Sequence, residues 1–98
     1  MSNRIDRTLS RLAKQQKTAL IPFLTAGFPD VETTISLAKA IIEAGADVLE
    51  LGVPFSDPLA DGPTIQMTSL KELRQGVNVS TCLEIARRLR ADDITTPI

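Results

Sequence analysis

Apolar residues near the start of the chain recur at helical spacing. Ile5, Leu9 and Leu12 stand among Arg, Asp and Ser, which predicts an amphipathic helix from about Ile5 to Lys14. The pattern then changes: Ala19 to Leu24 is a mostly apolar run bounded by Lys17-Thr18 and Thr25, as in a strand buried on both faces. Pro22 argues for an edge or a bulge, since proline removes a ladder donor. Gly27-Phe28-Pro29-Asp30 reads as a turn with Asp30 as the cap of a helix from Val31 to Ala44. Val31, Ile35, Ala38 and Ile42 repeat along that helix, Ile41 widens the stripe, and Gly45 supplies the stop. Ala46 to Gly52 predicts a second strand. A further helix restarts at Pro63 or Thr64 and runs to Gln75, with Gly76 after it, and Ser80 is expected to cap another to about Arg90. Thr95 to Ile98 has the look of a third strand's beginning.

Strand and helix in alternation place the chain in the α/β class, with a parallel sheet and right-handed crossovers. Two strands and a stub leave sheet faces and edges uncovered. The expectation is therefore a single incomplete domain over residues 1–98, part of a larger α/β domain or completed by a partner.

Composition narrows the function classes. The 98 residues carry 11 basic and 12 acidic side chains, a net charge of -1, so no strong field draws nucleic acid or an anionic membrane surface. No apolar run approaches the roughly 20 residues that span a bilayer, and the polar N-terminus is unlike a signal peptide. A lone cysteine, Cys82, fits a reducing compartment, and a cytoplasmic location is expected. With no histidine, Ser-His-Asp and Cys-His chemistry is excluded, as are histidine metal sites. Acid-base work falls to carboxylates, lysine or Cys82.

The chemistry-bearing stretch is Leu49-Glu50-Leu51-Gly52-Val53-Pro54-Phe55-Ser56-Asp57-Pro58-Leu59-Ala60-Asp61-Gly62-Pro63. Alternation sends Val48, Glu50 and Gly52 to one face of the second strand and Asp47, Leu49 and Leu51 to the other. Glu50 thus stands near a strand's C-terminal end, where parallel α/β folds bind ligands. Partly removed from water there, it suits general acid-base work; a structural ion pair with Lys or Arg is the open alternative. Asp61 equally suits a cap for the helix at Pro63, and Asp57 before Pro58 is a common turn initiator. Phe23 shares a face with Ile21 and Thr25, an ordinary core position. Cys82 reads as packing and Arg87, Arg88 and Arg90 as a solvated helix end. No P-loop, dinucleotide fingerprint or metal cluster is present in the sequence.

The eighteen residues from Leu49 to Gln66 resemble the signature of the tryptophan synthase alpha chain family, as do Ile21-Pro22-Phe23-Leu24-Thr25-Ala26-Gly27 and Glu43-Ala44-Gly45-Ala46-Asp47. The resemblance implies a (β/α)8 TIM barrel, of which this chain holds about two β/α units and the start of a third strand. It implies a lyase of tryptophan biosynthesis that cleaves indole-3-glycerol phosphate to indole and glyceraldehyde 3-phosphate in a retro-aldol step. By the same resemblance Glu50 is the acid/base, Asp61 the second catalytic acid and Phe23 a wall of the indole pocket. The loop from Val53 to Asp61, with Pro54 and Asp57, corresponds to the contact with the beta chain in an alpha2beta2 tetramer. Pyridoxal phosphate is expected on the beta chain, and no cofactor on this one. A barrel of this kind typically needs about 250 residues and often holds phosphate on loops after strands 7 and 8. The 98-residue piece alone is accordingly expected to be inactive. The alternatives are a noncatalytic fragment that only binds a beta chain and a stand-alone indole-glycerol-phosphate lyase.

Overall fold

The computed structural model describes residues 3–53, 62–65, 67–68 and 76–98. Its first helix, α1 (Arg4–Lys14), opens on Asn3, whose side-chain oxygen accepts the Asp6 N–H at 2.9 Å. That bond satisfies one of the donors a helix leaves unpaired at its start. Thr8 and Leu12 are buried, whereas Ile5 and Leu9 of the same stripe stay exposed.

Strand β1 (Phe23–Thr25) and strand β2 (Glu50–Gly52) pair in parallel, with Phe23 opposite Glu50, Leu24 opposite Leu51 and Thr25 opposite Gly52. Both are shorter than the expected runs from Ala19 and Ala46. β1 begins after Pro22, which has no N–H to give the ladder, although its carbonyl accepts from Glu50 N–H at 2.9 Å. Upstream, the Asp47 carboxylate takes the place of a ladder acceptor: it receives the Leu20 N–H at 2.8 Å, while the Leu20 carbonyl accepts from Asp47 at 2.9 Å. The strands thus approach each other from Leu20 and Asp47 onward, and Glu50 lies in the C-terminal half of the run.

Between them α2 (Val31–Glu43) is capped by Asp30, which accepts the Thr33 N–H at 2.7 Å, as the turn predicts. Gly45, at φ +118°, takes the left-handed turn after it. Helix α3 (Val79–Ala91) corrects one expectation, because its cap is Asn78 and not Ser80. Asn78 accepts the Thr81 N–H at 3.1 Å and the Thr81 hydroxyl accepts the Asn78 N–H at 3.2 Å, a reciprocal box that Ser80 cannot make from inside the helix. Pro63 to Ile65 and residues 67–68 are helical, as expected; the remainder of that expected helix lies outside the described residues.

Helices α2 and α3 cover one face of the pair. Leu49, Ile85 and Leu89 are fully buried there with Ala26, Ile35, Ala38, Val77 and Cys82, and Leu24 and Leu51 pack onto the cluster. Full burial of each such Leu or Ile is worth roughly 1.5–3 kcal/mol. At the rim Arg88 grips both oxygens of Glu32, and Lys39 pairs with Asp92. No strand forms over Thr95–Ile98, but the Pro97 carbonyl accepts the Leu49 N–H at 2.8 Å, one rung on the far edge of β2. Arg90 steadies that tail by donating to the carbonyls of Ile94 and Thr96 at 3.0 and 2.9 Å.

The opposite face corrects the expectation of a strand buried on both sides. Ile21 and Phe23 are 48% and 39% exposed, because no described helix lies over them. Among the described residues no helix is long and apolar enough to cross a membrane.

Candidate active site

The uncovered face brings together two of the residues singled out by sequence. In the parallel register Phe23 and Glu50 are direct partners, so their side chains leave the sheet on the same side. One step along, Thr25 faces Gly52. The Phe23 ring lies over Gly52: a Cβ there would stand 2.3 Å from its Cζ and 2.7 Å from its Cε2. With glycine at 52 the ring can lie this close to the strand, an aromatic wall beside the acid; any larger residue there would displace it.

Glu50 is exposed, not partly removed from water as expected from its strand. The reason is that its face carries no covering layer among the described residues. No ion pair there involves Glu50, since those recorded join Lys39 to Asp92, Arg87 to Glu84 and Arg88 to Glu32. Asp61, Asp57 and Pro54 lie outside the described residues. Thr25 was noted in the sequence only as a companion of Phe23. Its hydroxyl meets that of Thr68 at 3.1 Å, a contact between residues far apart in sequence that no local pattern signals. Thr34 was also missed: buried in α2, its hydroxyl accepts the Gly27 N–H at 3.0 Å and fixes the turn leaving β1.

Among the described residues, two concavities lie elsewhere. One of about 460 Å³ runs along Asp6, Arg7, Ser10, Arg11, Lys14 and Gln15 on α1, and one of about 230 Å³ sits among Asn3, Arg4, Ile5, Arg90, Pro97 and Ile98. Neither includes Phe23 or Glu50, and the chemistry favours the strand face. Among the described residues no three His, Cys, Asp or Glu side chains gather as metal ligands. Burial pushes the Cys82 thiol up from its ordinary value, away from the thiolate a nucleophile needs.

A parallel pair with helices on one face is the arrangement of the opening units of a (β/α)8 barrel, and the acid beside an aromatic on the other face is the candidate site. A family profile described as tryptophan synthase alpha chain matches residues 9–98, and the chain belongs to that family. It is 51% identical over 88 residues to the tryptophan synthase alpha chain of Caldanaerobacter subterraneus, and 50% identical over 96 residues to that of Cupriavidus taiwanensis. Those alignments cover 90% and 98% of this chain but 34% and 36% of the relatives. The chain therefore spans about a third of the length of the curated relatives it matches. The crystal structure of tryptophan synthase subunit alpha from Legionella pneumophila superposes with a TM-score of 0.93 at 44% identity, over 99% of this chain and 37% of that one. A tryptophan synthase structure from M. tuberculosis in an aminoacrylate-bound form matches with a TM-score of 0.79 at 37% identity, over 86% of this chain and 34% of that one.

Proposed function

We propose that residues 1–98 supply the acid-base strand of a lyase that cleaves indole-3-glycerol phosphate to indole and glyceraldehyde 3-phosphate. The observation that carries this reading is the pairing of Glu50 with Phe23 on the uncovered face, the ring held over Gly52, in a chain of the tryptophan synthase alpha family. Phe23 offers a flat apolar wall to the indole ring. Glu50 delivers a proton to indole C3 and removes one from the hydroxyl on the adjoining carbon. The bond between those carbons then breaks, its electron pair returns to the ring, and an aldehyde forms. Asp61 accepts the indole N–H and stabilises the positive charge that protonation creates.

The reaction needs no cofactor on this chain. Indole passes to a beta chain, which holds pyridoxal phosphate, across a contact that includes Pro54 and Asp57 in an alpha2beta2 assembly in the cytoplasm. The 98 residues alone do not turn over, since the phosphate-holding loops of such a barrel lie beyond them and anchoring energy is lost.

The test is a full-length barrel in which residues 1–98 replace the matching third of the Cupriavidus taiwanensis chain. Glu50→Gln should lower indole release at least about a hundredfold while substrate still binds. Turnover near that of the parent barrel overturns the assignment, and indole release by the isolated 98 residues overturns the claim of inactivity.

A further inference from the structure

We infer that Asp47 is a positioning residue for the proposed reaction, its carboxylate holding β1 in the register that sets Phe23 opposite Glu50; the inference rests on that reading. Along β1 and its approach, alternate residues turn their N–H toward β2. Ala26 does so at one end, donating to the Gly52 carbonyl at 2.9 Å, and Leu20 does so at the other. Pro22, between them, has no N–H to give. Ahead of Phe23, the donor turned toward β2 is thus the Leu20 N–H, and it goes to the Asp47 carboxylate at 2.8 Å.

The grip is reciprocal. The Leu20 carbonyl accepts from the Asp47 N–H at 2.9 Å and from the Val48 N–H at 3.3 Å, so both polar groups of the Leu20 backbone are held, one of them by a charged acceptor of the stronger kind. Packing adds little on this face: Leu20, like Ile21 and Phe23, is exposed, while Leu24 packs onto the α2–α3 cluster from the other side. A slip of one residue sends every side chain of a strand to the opposite face, which would part Phe23 from Glu50. Phe23 lies three residues beyond Leu20 and Glu50 three beyond Asp47, a run of roughly 10 Å along each chain at about 3.3 Å per residue. Fixing Leu20 against Asp47 therefore fixes the aromatic wall against the acid. Asp47 acts through the strand and touches no reacting atom.

The experiment uses the full-length barrel carrying residues 1–98. Asp47→Ala removes the acceptor, and Asp47→Asn keeps an oxygen in its place. Asp47→Ala should lower kcat about five- to tenfold with KM within about threefold, whereas Asp47→Asn should stay within about twofold of the parent rate. In a Glu50→Gln background Asp47→Ala should cost nothing further, because the acid being positioned is gone. Unchanged kcat in Asp47→Ala overturns the assignment, as does an equal loss in the Glu50→Gln background, which marks a general structural role. A loss in Asp47→Asn as large as that in Asp47→Ala overturns it too, since the charge and not the bond then matters. Amide exchange at Glu50, whose N–H rests on the Pro22 carbonyl at 2.9 Å, gives a readout free of turnover: it should quicken in Asp47→Ala and not in Asp47→Asn. If the parent barrel releases no indole, the proposed function fails while exchange at Glu50 still decides whether Asp47 holds the register, and exchange unmoved in folded Asp47→Ala overturns that hold. Should Asp47→Ala not fold, Asp47→Glu, which carries the carboxylate one methylene further, takes its place in each comparison with the same outcomes.

Discussion

The ring of Phe23 occupies the space where a side chain at Gly52 would begin, 2.3 Å from the Cβ that glycine lacks. Gly52→Ala must move something, and the partly exposed ring is the freer group; the Leu24 carbonyl, 3.4 Å from the same point, is backbone. Stability should change by less than about 1 kcal/mol, the low end for overpacking. Affinity for indole in the full-length barrel should fall about tenfold as the wall tilts, measured by calorimetric titration with indole.

The bidentate grip of Arg88 on Glu32 joins α2 to α3 from the solvent side. The Arg88 hydrogen bond holds the Glu32 carboxyl below its ordinary 4.5. A group depressed in the folded state adds stability above its unfolded pKa and loses it as pH falls through the folded one. The Tm gap between the parent barrel and Glu32→Gln should therefore be open at neutral pH and close as the solution is acidified below the ordinary carboxylate range. Salt should narrow it at any pH, because the pair is exposed.

Cys82 sits in the α2–α3 cluster with its thiol pushed above the ordinary 9.0 by burial. Native protein should react with a thiol reagent at neutral pH far more slowly than unfolded protein. Since the unfolded chain gives up this proton first, its contribution to stability is intact below pH 9.0 and declines above it. A Cys82→Ala variant should lack that part of the alkaline decline, read from urea midpoints across the alkaline range.

The reciprocal box at the start of α3 gives a fourth expectation. Asn78→Ala should destabilise by about 1 kcal/mol, and Asn78→Ser by less, measured as the shift in urea midpoint of the full-length barrel.

Much of the fold was legible where a helix announces itself twice, in its stripe and at its ends: Asp30 and Gly45 bracket α2 as the sequence implies. Ser80 failed as a cap for a local reason. Asn78 and Ser80 are both capping types, and only the bond back from Thr81 decides between them. Alternation placed Phe23 and Glu50 each on a face, but their standing opposite one another is a matter of register. That register is set by Asp47 and Leu20, one of them acting through a side chain. The exposure of Ile21 and Phe23 was illegible because an apolar residue looks the same whether helices or other strands cover it; in a barrel the inner face is filled by strands further round. Thr68 escaped because its partner lies across the fold.

The single rung from Leu49 to Pro97 bears on how such a barrel grows during synthesis. β2 meets one strand made before it, across α2, and one backbone rung made after it, beyond α3. Both contacts lie close to β2 in chain order, whereas closing an eight-stranded barrel brings its first strand to its last. A ribosome releasing the polypeptide from the N-terminus delivers β1 before β2, so β2 finds its template already in place.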